Sequence, residues 1–315
     1  MWGSGFGGRA VGWRPRRGGL ADRARVADSG GRPLPRETPQ RRAVQIALAQ
    51  LAATTDPDVN LGLVRDGVRR AVEARARVVV FPEATMCRFG VPLGPVAQPL
   101  DGPWASAVRE LAADAGITVV AGMFTPDPDG RVRNTLLATG GGVEASYDKI
   151  HLYDAFGFAE SATVAAGATP VTIEVDGRTV GLATCYDVRF PALFQRLAGD
   201  GADAVLLPAS WGAGEGKVEQ WELLVRARAL DSGTFVLACD QADPETAGLS
   251  RGKAPTGVGH SLVADPMGRV VDRLGAEPGL LVVDVDLDRA VPARTATGAL
   301  ANVRDPRQAG KATFG

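Results

Sequence analysis

The chain has 315 residues, is 45% hydrophobic and 23% charged, and carries a net charge of −1 at pH 7. It can bury a large core, has no overall charge drawing it to nucleic acid or anionic membrane, and contains no apolar run near the roughly 18 residues that span a bilayer. Cys87, Cys185 and Cys239 form no CxxC pair, which fits a reducing cytoplasm, and two histidines, His151 and His260, leave HExxH zinc chemistry without material.

Residues 1–42 are of a different kind: ten Arg, no Lys, three acidic residues and nine Gly. They hold no apolar core of a secretory signal, and read as an Arg/Gly-rich extension outside the fold or as a start placed upstream of the natural one. Periodicity begins at Val44, where VQIALAQL reads as a buried strand. Asp56, Asp58 or Asn60 is placed to cap a helix with Leu61, Val64, Val68 and Val72 on one face. VVVF at 78–81 is a central strand, and Trp104, Val108, Leu111 and Ala112 mark a second helix. ITVVAGMF, NTLLAT and a run from Val143 to Tyr147 follow as strands, the last two joined by Gly140-Gly141-Gly142. VTIEV and RTVGLAT flank Asp176-Gly177, a strong two-residue hairpin signal. A helix from about Phe190 to Ala198, the strand AVLLP, a helix around Trp221–Leu230 and the strand TFVLAC come next. Strands near 258–264, 269–273 and 280–286 close a body spanning 43–289. Residues 290–315 are weakly periodic and are expected to wrap over a neighbour or a partner subunit. With no internal repeat and no linker, the alternation points to one layered α/β domain.

Three chemically distinct side chains stand where strand-like runs close: Glu83 in RVVVFPEATMC, Lys149 in EASYDKIHLYDAF and Cys185 in GLATCYDVRFP. A carboxylate, an ammonium and a thiol are the parts needed to hydrolyse an amide through a thioester. An ordinary thiol has a pKa near 8.5 and is only a few per cent thiolate at neutral pH, so a carboxylate that takes its proton is required. Glu83 is suited to that task and, once protonated, to donating to the departing amine. The Lys149 ammonium and the Tyr186 backbone N–H are the natural oxyanion donors, worth about 3–4 kcal/mol each. Cys87 and Cys239 read as packed thiols, His151 as a structural hydrogen-bonding residue, and Trp211 as lining a pocket or packing in the core. Asp187 and Arg189 read as forming or joining a buried ion-pair network that holds the elbow, with Arg189 alternatively clamping a substrate carboxylate.

The blocks FPEATM, YDKIHLYD, CYDVRFP, LLPASW and WELLVRARALDSGTFVLA, in this order from Val44 to Asp288, resemble the nitrilase superfamily of carbon–nitrogen hydrolases. The omega-amidase and deaminated-glutathione-amidase branch is the nearest in flavour, because an ES pair, here Glu160-Ser161, follows the lysine block. The chain departs from that pattern in its N-terminal extension, in Asp148 where Arg is common, and in Gln220 where His often precedes the Trp. The resemblance implies a four-layer α-β-β-α sandwich that associates as a homodimer or larger. It implies hydrolysis of a small linear carboxamide with no metal and no organic cofactor. Glu83, Lys149 and Cys185 would be catalytic, with Glu160 orienting the lysine or the attacking water. A nitrilase or an N-carbamoyl-amine hydrolase would use the same residues, and a silent binding or regulatory subunit is the alternative from another class. Branch substrates carry a carboxylate distal to the amide, which calls for a fixed cation besides Lys149. Arg88, five residues beyond Glu83, and Arg189 are the candidates.

Overall fold

The computed structural model describes residues 43–304; the Arg/Gly-rich segment 1–42 and the end of the 290–315 tail lie outside the described residues. Strands β1 (Val44–Gln50), β2 (Val78–Val80), β3 (Thr118–Pro126), β4 (Val132–Gly140), β5 (Val143–Asp148) and β12 (Gly279–Val285) build one sheet in the order β12-β1-β2-β3-β4-β5. The second sheet runs β11-β10-β9-β8-β7-β6, from β6 (Val171–Val175), β7 (Arg178–Leu182), β8 (Ala204–Ala209), β9 (Phe235–Asp240), β10 (Leu262–Ala264) and β11 (Val270–Arg273). In each sheet the three central strands are parallel, β1-β2-β3 in one and β7-β8-β9 in the other, and antiparallel strands flank them.

Strand alternation divides the core. Ile46, Leu48, Val78 and Val80 face across to Val180, Leu182, Leu206 and Leu237, so the two sheets pack face to face. Ala47, Val79 and Val119 point the other way, under α1 (Pro57–Glu73) and α2 (Pro103–Ala115), which contribute Val64, Val68, Trp104 and Val108. Val205, Leu207 and Val236 likewise meet Leu193, Phe194, Trp221 and Val225 of α3 (Pro191–Gly199) and α4 (Lys217–Ser232). The result is the α-β-β-α sandwich that the resemblance implied, and each fully buried Val or Leu in it is worth about 1.5–3 kcal/mol.

Local signals hold at their own positions. Asp56 caps α1, its carboxylate accepting from the Asp58 and Val59 amides. Asp176 and Gly177 take φ of +48° and +74°, the left-handed pair a two-residue hairpin turn needs. One reading changes. Of the strand expected near 258–264 only Leu262–Ala264 forms, because His260 adopts φ +57° and Gly257 and Gly259 also turn left-handed before it. The segment after 290 begins with a helix, α5 (Ala290–Thr297), and Arg294 on it donates to the carbonyls of Ala198 in α3 and of Ala202 just after it. No helix among the described residues is long and apolar enough to cross a membrane.

Candidate active site

The central parallel strands of both sheets deliver their carboxyl ends to one region, where open α/β sheets characteristically bind ligands. Glu83 lies three residues past β2, Cys185 three past β7, Ser210 and Trp211 directly past β8, and Lys149 directly past β5. The loops are tied to one another across the two sheets: the Gln241 amide donates to the Glu83 carbonyl at 2.9 Å, and the Cys239 thiol to the Val80 carbonyl at 3.2 Å.

Glu83 is wholly buried. Its Oε1 accepts from Lys149 Nζ at 2.9 Å and from Asn134 Nδ2 at 2.7 Å, and its Oε2 accepts from the Ser210 N–H at 2.8 Å. Burial nevertheless pushes this carboxyl above its ordinary range, against the pull of Lys149. Lys149 is only 2% exposed and is held between two carboxylates, with Glu160 Oε2 also at 2.9 Å. Burial works against its ammonium, but Glu160 and Glu83 together outweigh that and raise it well above an ordinary lysine. Glu160 is itself fixed, since its Oε2 accepts from the Tyr153 N–H at 2.6 Å.

Cys185 opens a short 3₁₀ turn, Cys185–Arg189, with φ of +46°, a left-handed value that costs a non-glycine residue about 1–2 kcal/mol. This kink swings the thiol out of the strand direction toward Glu83 and the cavity. As the second residue of the turn, Tyr186 presents a backbone N–H that has no acceptor within the turn. The elbow is secured by Asp187, whose buried carboxylate accepts from the Thr184 N–H, the Tyr147 hydroxyl and the His151 N–H, and pairs with His151 Nδ1 at 2.7 Å. His151 also stacks on Phe190, so it is the structural residue expected. The resting thiol is neutral: burial first, and Glu83 second, push it well above the usual range, and Lys149 offsets only part of this.

A cavity of about 260 Å³ opens above these groups, smaller than the typical pocket for a drug-sized ligand. Glu83, Lys149, Glu160, Cys185, Arg189 and Trp211 all line it. Two expectations are corrected. Arg88 does not reach the cavity; it turns outward and donates to the Ser250 carbonyl at 2.9 Å. Of the ion-pair network expected at the elbow Asp187 takes part, through His151, but Arg189 does not; its guanidinium instead bonds Gln220 Oε1 at 3.0 Å. Trp211 serves in both roles named for it, lining the cavity and packing against Trp221. Cys87 and Cys239 are buried free thiols.

Sequence reasoning missed Asn134, the Ser210 N–H and Lys217. Asn134 alternates inward on β4 among apolar neighbours, and a buried amide in a strand was a readable signal. It also missed Gly122 of β3. A Cβ there would stand 2.6 Å from the Ala84 nitrogen and 2.9 Å from the Glu83 Cα, which are backbone atoms that cannot step aside. Gly122→Ala is therefore expected to displace Glu83 and lower kcat/KM at least about 10²-fold, the effect of misplacing a catalytic group by roughly 1 Å. Steady-state kinetics beside a melting curve would check this; wild-type turnover would show that the Glu83 loop tolerates the shift.

Comparison with known proteins agrees with this architecture. The family model described as carbon-nitrogen hydrolase matches residues 45–295. A hydrolase of Mycobacterium tuberculosis is 56% identical over 276 residues, covering 85% of this chain and 99% of the relative. The deaminated glutathione amidase of Escherichia coli O157:H7 is 32% identical over 265 residues, covering 82% of this chain and 97% of the relative. Among solved structures, an amidase from Nesterenkonia sp. superposes with a TM-score of 0.68 at 30% identity, covering 82% of this chain and 95% of that one. A variant of that amidase carries the acetamide moiety of fluoroacetamide covalently added at its active-site cysteine. With the sandwich and the matched span together, this chain belongs to the carbon–nitrogen hydrolase family.

Proposed function

We propose that the protein is a cysteine-dependent, omega-amidase-like hydrolase that converts a small linear carboxamide to its acid and ammonia through a thioester on Cys185. The observation that carries this reading is the convergence of Glu83, Lys149, Glu160 and the strained Cys185 elbow at the floor of one small cavity. The thiol and the Glu83 carboxyl line the same cavity and both are raised. Moving the proton from Sγ to Glu83 leaves the total charge of the cluster unchanged. Its cost is therefore set by the difference between the two groups, not by the height of either.

The thiolate so formed attacks the amide carbon, and the carbonyl oxygen takes up negative charge against the Lys149 ammonium and the Tyr186 N–H. Glu83 returns its proton to the amide nitrogen, the C–N bond breaks and ammonia leaves, with Cys185 acylated. Water then gives a proton to Glu83 and attacks the thioester; collapse of the second tetrahedral adduct breaks the C–S bond, and Glu83 reprotonates the thiol. Glu160 holds Lys149 in place throughout. Its charge also keeps the ammonium protonated when Glu83 is neutralised mid-cycle.

The test is a panel of α-ketoglutaramate, succinamate, deaminated glutathione, butyramide and a simple nitrile. Ammonia release is followed, together with the intact mass of the protein. Carboxylate-bearing amides are expected to be turned over best, with an acyl adduct mapping to Cys185. Preference for the nitrile or a neutral amide would defeat the omega-amidase assignment. No turnover with any compound would favour the silent-subunit reading.

A further inference from the structure

Building on the amidase reading, we infer that Asp240 is a positioning residue for the reaction. Its carboxylate clamps together two loops of the cavity wall that hold Glu83 and Cys185, and the clamp is whole only while that carboxylate is ionised. Asp240 is the last residue of β9, and its side chain is wholly buried. Its Oδ1 accepts from the Trp211 N–H at 2.7 Å, and its Oδ2 accepts from the Val258 N–H at 2.9 Å. Neither donor carries a charge, and no cation is among the groups that act on it. A buried carboxylate met only by backbone amides is costly to keep, so what those two bonds hold explains its presence.

Both bonds lead to the reacting groups. Consecutive N–H groups past β8 serve one carboxylate each, Ser210 donating to Glu83 Oε2 at 2.8 Å and Trp211 to Asp240. The Ser210 carbonyl accepts from the Cys185 thiol at 3.8 Å. A single peptide plane, joining Ser210 to Trp211, thus touches Cys185 through its carbonyl and Asp240 through its N–H. Val258 ends the segment 254–258, whose Ala254 and Pro255 line the cavity. That segment is tied to the same strand end twice more, by the Ser210 hydroxyl donating to the Pro255 carbonyl at 2.9 Å and the Gly257 N–H to the Trp211 carbonyl at 3.1 Å.

The clamp has two states. Burial foremost pushes the Asp240 carboxyl up to about 7; the Val258 and Trp211 amides pull it back, and the charge of Glu83 adds to the rise. The other titratable group bearing on it is the Cys239 thiol of its own strand, which is raised by burial first and by Asp240 second. Both Asp240 oxygens face N–H donors, so a proton on either one weakens the bond which that oxygen accepts. The Ser210–Trp211 peptide or the 254–258 segment is then released. Turnover should therefore fall as the pH drops through about 7.

Asp240→Asn tests this. It has the same shape, keeps one oxygen acceptor and sets an NH₂ against the other donor, so it reproduces the protonated clamp at every pH. The wild-type to Asp240→Asn ratio of kcat/KM for succinamate is expected to fall from about tenfold at about pH 8.5 to near one at about pH 5.5, the scale of one lost charge-assisted contact. The midpoint should lie near 7. Groups that titrate alike in both proteins cancel in that ratio. The rate of Cys185 alkylation by iodoacetamide gives a second ratio without turnover, which should move in the same direction through the same midpoint. Constancy of either ratio across this range would overturn the assignment, because a purely structural defect lowers both ends equally. If succinamate is not hydrolysed but the alkylation ratio moves, the amidase reading fails and the role of Asp240 stands. Should Asp240→Asn not fold, Asp240→Ser, also neutral at every pH, takes its place with the same expectation.

Discussion

Cys185→Ala and Cys185→Ser are expected to lower kcat/KM by at least about 10⁴-fold, the scale on which covalent catalysis collapses when its nucleophile is removed. The fold should survive. The side chain is 7% exposed, sits at the cavity edge of the α3/α4-side core, and makes one long hydrogen bond, Sγ to the Ser210 carbonyl at 3.8 Å, so removing one sulfur atom costs little packing. The elbow is held from Asp187 rather than from the thiol, and the left-handed backbone remains equally strained in all three proteins. Melting temperatures should accordingly agree within a few degrees, the shift that about 1 kcal/mol produces in a domain of this size. Ammonia release and a melting curve check both statements. Activity of Cys185→Ala comparable with the wild type on any good substrate would sink the thioester mechanism.

Glu83→Gln carries the second large effect. A side-chain amide cannot shuttle a proton, so acylation and deacylation both fail, and a loss of about 10²–10⁴-fold or more is expected in kcat, the worth of a positioned acid–base group. The substitution also meets three donors: Lys149 Nζ and Asn134 Nδ2 on one oxygen and the Ser210 N–H on the other. Whichever way the new amide turns, its NH₂ opposes a donor, which costs about 1–3 kcal/mol of stability. Some loss of melting temperature therefore accompanies the kinetic defect and should be measured beside it. Labelling of Cys185 by iodoacetamide isolates the base role. It should slow markedly in Glu83→Gln at neutral pH, and an equal rate in both proteins would mean that the thiol proton goes elsewhere. Glu160→Gln should bind substrate more nearly as the wild type does yet turn over far more slowly, because it holds the lysine and does not carry the proton.

The candidate site divides by the range of the forces that make it. Glu83, Lys149 and Cys185 were readable because each closes a β-run, Glu83 and Cys185 past central parallel strands and Lys149 past the edge strand β5, and the carboxyl ends of these strands meet at the cavity. The helix cap, narrowed to Asp56, Asp58 or Asn60, and the Asp176-Gly177 turn were readable because a cap and a two-residue turn are settled within four residues. The cations were not. Arg88 and Arg189 lie at similar offsets past Glu83 and Cys185, yet Arg88 turns outward to Ser250 while Arg189 turns in to Gln220. Nothing within five residues of either distinguishes them. Lys217 gave no signal at all, since only the folded chain sets it against Phe156 and Trp211 at the cavity.

From the linear order alone came the alternation of strands and helices, the layered α/β class and the identity of the acid, ammonium and thiol. These depend on periodicity and on strand ends, which neighbours in the chain decide. The tertiary structure alone decided which groups complete the environment of Glu83 and which cations line the cavity. Ser210 meets Glu83 across 127 residues and Asn134 meets it across 51, contacts that exist only once two sheets are packed face to face. The pull of burial on Glu83 and Cys185 has the same origin. A carboxyl and a thiol keep ordinary acidities in an open chain, and are raised only when the sandwich closes water away from them.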